Sequence, residues 1–141
     1  MKQDTLHLTL AFLGDIERAR LPAIEQAATG LDAAPFRLRL ERQGSWHGHR
    51  ILWLAPGSMP DSLRHLQRGL SAILRQAGFR LEAGNYSPHL TVLRNARSEP
   101  PDEAMPEALE WDVSSFRLVE SQRLQSGAHY RTLGEWPLAR K

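Results

Sequence analysis

A His-Leu-Thr tripeptide followed by a branched apolar residue begins at His7 and again at His89, and each copy lies in an apolar, alternating stretch. Such alternation predicts a half-buried strand, in which every second side chain lies on the same face. His7 and Thr9 are therefore expected on one face of their strand, and His89 and Thr91 on one face of theirs. If the two strands face each other across a cleft, two imidazoles and two hydroxyls converge.

This set of side chains suits the cleavage of a phosphate ester. Histidine titrates near neutrality, so that one ring can accept a proton while a second ring donates one. A threonine hydroxyl can donate to a non-bridging phosphate oxygen and stabilise the charge of the transition state. This chemistry requires no metal and no cofactor. Spacing alone leaves a purely structural role for the repeat equally open.

The composition predicts one domain, spanning residues 1–141, because 141 residues with a hydrophobic fraction of 41% can bury a core. The formal net charge is +2, and lysine occurs only at Lys2 and Lys141, so the basic residues are mostly arginine. Arginine suits bidentate contact with phosphate, although it also solubilises surfaces. The charge thus permits a nucleic-acid partner without requiring one.

The chain contains no cysteine, which excludes disulfides, thiolate metal sites and thiol nucleophiles. No apolar run approaches the roughly 20 residues of a membrane span. His7 and Thr9 interrupt the first apolar stretch, which is therefore a poor signal peptide. We expect a soluble cytoplasmic protein without a membrane partner.

The remaining pattern predicts an α+β fold of antiparallel strands and two helices. A first helix is expected over 21–31, opened by Pro22, and a second over 61–77, ended by Gly78. Strands are expected at 6–13, 36–40, 51–54, 79–81, 88–93, 113–124 and 130–138. Turns or loops are expected at 44–48, 98–106 and 126–127, and the strands around 44–48 should form a hairpin. One His-Thr strand falls in each half, which favours a duplicated, two-lobed architecture.

The residues around the two copies resemble a known family. The stretches 7–14 and 88–94, together with Trp53 in a Leu-Trp-Leu run and the closing stretch 130–138, resemble the 2'-5' RNA ligase-like RNA 2',3'-cyclic phosphodiesterases. These enzymes, among them the LigT-like proteins, belong to the two-histidine phosphoesterase superfamily. The resemblance extends over nearly the whole chain.

The resemblance implies two pseudo-symmetric lobes of antiparallel sheet with outer helices and a central cleft. It implies opening of a terminal RNA 2',3'-cyclic phosphate to a 2'-phosphate without metal or cofactor, and in some members reverse joining through a 2'-5' linkage. By the same resemblance His7 is the general acid, His89 is the base, and Thr9 and Thr91 hold phosphate oxygens. Arg94 would add a further phosphate contact.

Arg94 conflicts with strict alternation, which puts it on the face opposite His89. We expect the strand to end by Leu93, so that the following turn directs Arg94 towards the phosphate; the alternative is that Arg94 is a surface arginine. Four aromatic residues are expected to contact substrate, although semi-buried aromatics are common in any core. They are Phe12, Trp46, Tyr86 and Tyr130.

One departure from the family concerns the start of the chain. Family members usually have a strand and a helix before the first motif, whereas six residues precede His7 here. If these elements are missing, a sheet edge and apolar surface are left uncovered. Lower stability, or a partner chain that covers the gap, is then expected.

Other readings remain open. The same chemistry could act on another cyclic phosphate, such as one on ADP-ribose, or on a 2'-5' oligonucleotide. The protein could also be an RNA-binding module that has lost catalysis, or a metallohydrolase. His47 and His49 invite a metal site, but a solvated loop is the simpler interpretation. His65 is expected on the outer face of its helix, and His129 at a hairpin tip.

Overall fold

The computed structural model describes residues 7–46, 51–81, 86–94, 103–125 and 127–139. Contacts divide the chain into two compact units. The helices are α1, Leu21–Thr29, which follows a 3-10 turn at Arg18–Arg20, and α2, Asp61–Gln76. The strands are β1 (Phe36–Trp46), β2 (Ile51–Ala55), β3 (Leu90–Arg94), β4 (Glu103–Val113), β5 (Ser115–Leu124) and β6 (Gly127–Pro137). The predicted α+β class is confirmed.

Unit 1 comprises Met1–Leu10, Arg37–Asp61 and Asn85–Asp112. Its sheet has the strand order β3-β2-β1-β4, in which β2 is antiparallel to both β1 and β3. The predicted pairing of β1 with β2 is therefore confirmed. Leu38 and Leu40 are 1% and 0% exposed, whereas the arginines between and before them are exposed, because the strand buries one face only.

Gly44 is a buried position whose backbone must pass close to an aromatic ring. It pairs with Trp53 across the hairpin, and a Cβ added to Gly44 would lie 2.8 Å from Cε2 and 2.9 Å from Cη2 of the indole. Glycine therefore lets the indole of Trp53 lie over β1.

Gly44→Ala is expected to destabilise the protein by about 1–3 kcal/mol, because the indole must move out of a packed position. Gly30→Ala is the matched control, since a Cβ there lies 3.5 Å from the nearest atom and the residue has a φ of −80°. Urea denaturation of both variants measures the difference. Equal stability of the two variants would contradict this account of Gly44.

Unit 2 comprises Ala11–Phe36, Ser62–Gly84 and Val113–Lys141, with a two-stranded antiparallel sheet of β5 and β6. Phe116 and Trp136 stack across this sheet with ring centroids 5.5 Å apart, and the indole N–H of Trp136 donates to the Thr29 hydroxyl at the end of α1. The hydrogen bond from Trp136 attaches α1 to β6.

On the same two strands, hydrogen bonds from Ser115 and Arg117 lower the pKa of the Glu135 carboxyl.

The second helix ends where the sequence predicts. Gly78 has a φ of +96°, its N–H donates to the carbonyl of Arg75, and the N–H of Phe79 donates to that of Leu74. This left-handed cap satisfies the last carbonyls of α2. Along the helix Leu63, Leu66, Leu70 and Leu74 are buried, as the apolar stripe predicts.

Several expectations about elements are wrong. Residues 44–46, expected in a turn, are the last residues of β1, and residue 127, also expected in a turn, is the first of β6. Residues 9–13 form no strand, because pairing of the first motif stops after a single bridge at Leu8. Residues 79–81 form no strand, because Phe79 belongs to the helix cap and its buried ring lies 4.1 Å from the Arg20 guanidinium. The expected loop at 98–106 is a strand from Glu103 onwards; β4 is an edge strand, where a proline such as Pro106 is tolerated.

Parts of the expected turns lie outside the described residues. These are 47–48, 98–102 and residue 126. Within the described part of the chain, neither helix is long and apolar enough to cross a membrane.

Candidate active site

The two His-x-Thr copies lie side by side in unit 1. Leu8 and Leu90, the central residues of the two copies, form an isolated antiparallel bridge. Backbone pairing therefore joins the two copies directly at these two residues. If this register continued by one residue in each direction, residue 7 would lie opposite residue 91, and residue 9 opposite residue 89. His7 and His89 would then be diagonal neighbours, about 7–8 Å apart by ordinary strand geometry.

Neighbouring residues of each copy differ in burial. His7 and Thr9 are exposed while Leu8 between them is half-buried. In the second copy His89 is half-buried and Leu90 is only 8% exposed. Each leucine is thus more buried than the histidine beside it, and the histidines and Thr9 lie on the opposite side, which we call the motif face.

Trp53 also lies on the motif face. Leu54 pairs with Leu90, so these two share one face of the sheet, and Trp53 next to Leu54 has the alternate direction. Trp53 pairs with Thr91 on one side and with Gly44 on the other. The half-buried indole, which the sequence marked only through the resemblance, is therefore a neighbour of the second copy.

A β-bulge in β3 decides the position of Arg94. Leu52 pairs with Leu93 but Trp53 pairs with Thr91, so Val92 is an extra residue on β3. A bulge shifts the alternation by one, and position 94 accordingly comes to the same sheet face as position 91. The expectation that the strand ends by Leu93 is wrong: β3 continues through Arg94, which pairs with Ile51.

The ring of His89 is held by the chain just before it. Its Nδ1 lies 3.1 Å from the carbonyl oxygen of Ser87. A carbonyl oxygen only accepts hydrogen bonds, so Nδ1 carries the hydrogen in this contact. In the neutral ring Nε2 then has the lone pair, which is the arrangement a general base requires.

Tyr86 contacts the first copy. Its hydroxyl donates to the main-chain carbonyl oxygen of Thr9 at 2.7 Å, and burial raises the pKa of the phenol above its ordinary value of 10.0. Sequence reasoning missed this contact, because its acceptor is a main-chain atom 77 residues away, for which no side-chain pattern exists.

The other residues predicted to bind substrate are distributed over both units. Trp46 is the last residue of β1 and pairs with Ile51. Phe12, which is 67% exposed, and Tyr130, which is half-buried on β6, belong to unit 2. The side chains of Trp46, Thr91 and Arg94 lie outside the described part of the structure, so their roles stay predictions.

Two of the remaining histidines lie in unit 2. His65 is exposed on α2, as predicted, and His129 is exposed on β6 opposite Gln122. His47 and His49 lie outside the described residues. Over the part of the chain that the structure describes, no group of three or more His, Cys, Asp or Glu residues is arranged to hold a metal ion.

Comparison with known proteins identifies the family of the chain. The family model described as the 2'-5' RNA ligase superfamily matches residues 1–125. The chain belongs to the 2'-5' RNA ligase superfamily.

Named relatives of this superfamily member are enzymes. The chain is 31% identical over 140 residues to the RNA 2',3'-cyclic phosphodiesterase of Escherichia coli strain K12, covering 96% of this chain and 77% of the relative. It is 32% identical over 143 residues to the RNA 2',3'-cyclic phosphodiesterase of Thermus thermophilus, covering 94% and 72%.

Solved structures of E. coli LigT have the same fold. The apo form matches with a TM-score of 0.85 and 28% identity, covering 99% of this chain and 80% of LigT. The complex with 3'-AMP matches with a TM-score of 0.83 and 28% identity, covering 97% and 79%. The superfamily fold is thus retained over almost the whole of this chain.

Proposed function

We propose that this protein hydrolyses RNA-terminal 2',3'-cyclic phosphates to 2'-phosphates, with His7 as general acid and His89 as general base. The observation that best supports this is the Leu8–Leu90 bridge, because it joins the residues next to the two histidines within one compact unit. The named relatives, which are RNA 2',3'-cyclic phosphodiesterases, support the reaction class, and the 3'-AMP complex of LigT supports a nucleotide ligand.

The proposed reaction is a single displacement at phosphorus. His89 accepts a proton through Nε2 from a water molecule, whose oxygen forms the new bond to phosphorus. The bond between phosphorus and O3' breaks, and His7 donates a proton to the leaving O3'. The product has a 2'-phosphate and a free 3'-hydroxyl. Proton exchange with solvent then restores the neutral base and the protonated acid.

Hydroxyl and guanidinium groups on the motif face are proposed to hold the phosphate. Thr9 is exposed and can be reached by a ligand. Thr91 and Arg94 are proposed as further contacts, since the backbone register supports both positions on this face. Donors aimed at the non-bridging oxygens stabilise the charge that develops there.

Two further expectations are also proposals. One is reverse 2'-5' ligation, and the other is a partner chain that covers an uncovered sheet edge.

Product analysis tests this function directly. The protein is incubated with adenosine 2',3'-cyclic phosphate and with an RNA oligonucleotide ending in a 2',3'-cyclic phosphate, and ³¹P NMR identifies the product. We expect a 2'-phosphate, at a rate that excess chelator leaves unchanged. Formation of a 3'-phosphate would contradict the assignment of the leaving oxygen, and loss of rate in chelator would favour the metallohydrolase.

A substrate panel separates the alternatives. It contains a cyclic phosphate on ADP-ribose, a 2'-5' oligonucleotide, and an RNA pair with cyclic phosphate and 5'-hydroxyl ends. Faster turnover of either of the first two compounds would assign a different substrate to the same acid–base reaction. Binding of RNA without turnover of any substrate would identify a binding module that has lost catalysis.

A further inference from the structure

Tyr86 joins the two motif copies through the main chain of the first. It lies three residues before His89, and its hydroxyl donates to the carbonyl oxygen of Thr9 at 2.7 Å. Leu8 and Leu90 form only an isolated bridge, so Thr9 is not fixed by a continuing strand ladder. The phenol hydroxyl supplies a second attachment at the residue whose side chain is proposed to hold phosphate.

The segment that contains Tyr86 also orients the second copy. Within four residues it provides the hydroxyl bound to Thr9, the Ser87 carbonyl bound to Nδ1 of His89, and His89 itself. A displacement of this segment would therefore move both copies together, and a displacement of one copy relative to the other would break the hydrogen bond to Thr9.

The phenol of Tyr86 is a hydrogen-bond donor at neutral pH. Tyr86 is half-buried, and burial raises the pKa of its hydroxyl above the ordinary value of 10.0. The neutral form is thereby favoured, and the neutral form is the one that can donate to a carbonyl oxygen.

We propose that Tyr86 is a positioning residue, whose hydroxyl fixes the backbone of Thr9 so that its side chain meets the phosphate held between His7 and His89. This inference rests on the proposed function. This role differs from stacking of the Tyr86 ring on a base, because it requires the hydroxyl and not the ring. A displacement of about 1 Å at a reacting group can change a rate by up to about 100-fold.

Tyr86→Phe is the decisive variant, since it keeps the ring and removes only the hydroxyl. With adenosine 2',3'-cyclic phosphate we expect kcat to fall about 10-fold and KM to change less than about 2-fold. In a Thr9→Val background the same substitution should lower kcat by less than about 2-fold, because Tyr86 acts through Thr9. The melting temperature should fall by less than about 5 °C.

Ser115→Ala is the control, since it also removes one side-chain hydrogen bond, of 2.8 Å to Glu135, but in unit 2. It should leave kcat unchanged in either background. Equal losses of kcat from Tyr86→Phe in the wild-type and Thr9→Val backgrounds would overturn the inference. A raised KM with unchanged kcat would overturn it as well, since the hydroxyl would then contact substrate.

The ¹³C chemical shift of the Thr9 carbonyl gives a readout that does not depend on turnover. Loss of an accepted hydrogen bond should move this resonance upfield in Tyr86→Phe and leave it unmoved in Ser115→Ala. An unmoved resonance in Tyr86→Phe overturns the inference even if the enzyme is active. If the wild-type protein hydrolyses no cyclic phosphate, the proposed function fails and takes this positioning role with it, whatever the resonance shows.

Discussion

Alanine at His7 or at His89 is expected to lower kcat for a nucleoside 2',3'-cyclic phosphate by about 10³-fold, within the range for loss of a positioned acid or base. Without His89 no group accepts the proton from water, and without His7 no group donates a proton to the leaving O3'. Steady-state kinetics with adenosine 2',3'-cyclic phosphate measure the effect. Full activity in either variant would overturn the proposed mechanism.

His65→Ala is the matched control for these two variants. His65 is exposed on α2 in unit 2, and its loss should leave kcat unchanged. All three variants should retain the wild-type circular dichroism spectrum, because truncation of a surface side chain usually changes stability by less than about 0.5 kcal/mol. His89 is half-buried, so its variant also requires a melting curve.

A change of leaving group separates the acid from the base. A phosphodiester that releases p-nitrophenol needs little protonation of the departing oxygen, so it should restore much of the rate of His7→Ala. It should not restore His89→Ala, because water must still lose a proton to attack. Rescue of His89→Ala instead of His7→Ala would reverse the assignment of the two roles.

Thr9→Val is expected to lower kcat by about 10²-fold, as loss of one donor to a charged transition-state oxygen does. Valine has nearly the shape of threonine and lacks only the hydroxyl. Because Thr9 is exposed, the loss of rate should occur without a large loss of stability. Kinetics with the same cyclic nucleotide, together with thermal denaturation, test both parts.

Two further variants test whether the loss of kcat in Thr9→Val comes from the missing hydroxyl of Thr9. Thr9→Ser keeps the hydroxyl and should retain most of the activity. Thr132→Val makes the same change at an exposed position on β6 in unit 2 and should have wild-type kcat. If Thr9→Val were as active as Thr132→Val, the hydroxyl of Thr9 would have no part in catalysis.

Local patterns predicted the helices and most strands well. Pro22, the leucine stripe of α2 and the Gly78 cap are determined by neighbours in sequence, and all lie where expected. The extents of strands were predicted less well. Residues 9–13 alternate as a strand should, but a strand also needs a neighbour to pair with, and the first motif pairs only at Leu8. Glu103–Val113 follows prolines and is nevertheless an edge strand.

The candidate site, like the fold, was predicted from the sequence only in part. The repeated His-x-Thr pattern by itself determined which residues to combine and which side of each strand they share, because alternation is a local property. Only the tertiary structure decided that Leu8 pairs with Leu90, that an extra residue at Val92 changes the face of position 94, and that the Tyr86 hydroxyl binds the Thr9 carbonyl. Each of these depends on main-chain atoms far apart in sequence, and main-chain atoms are the same in every residue.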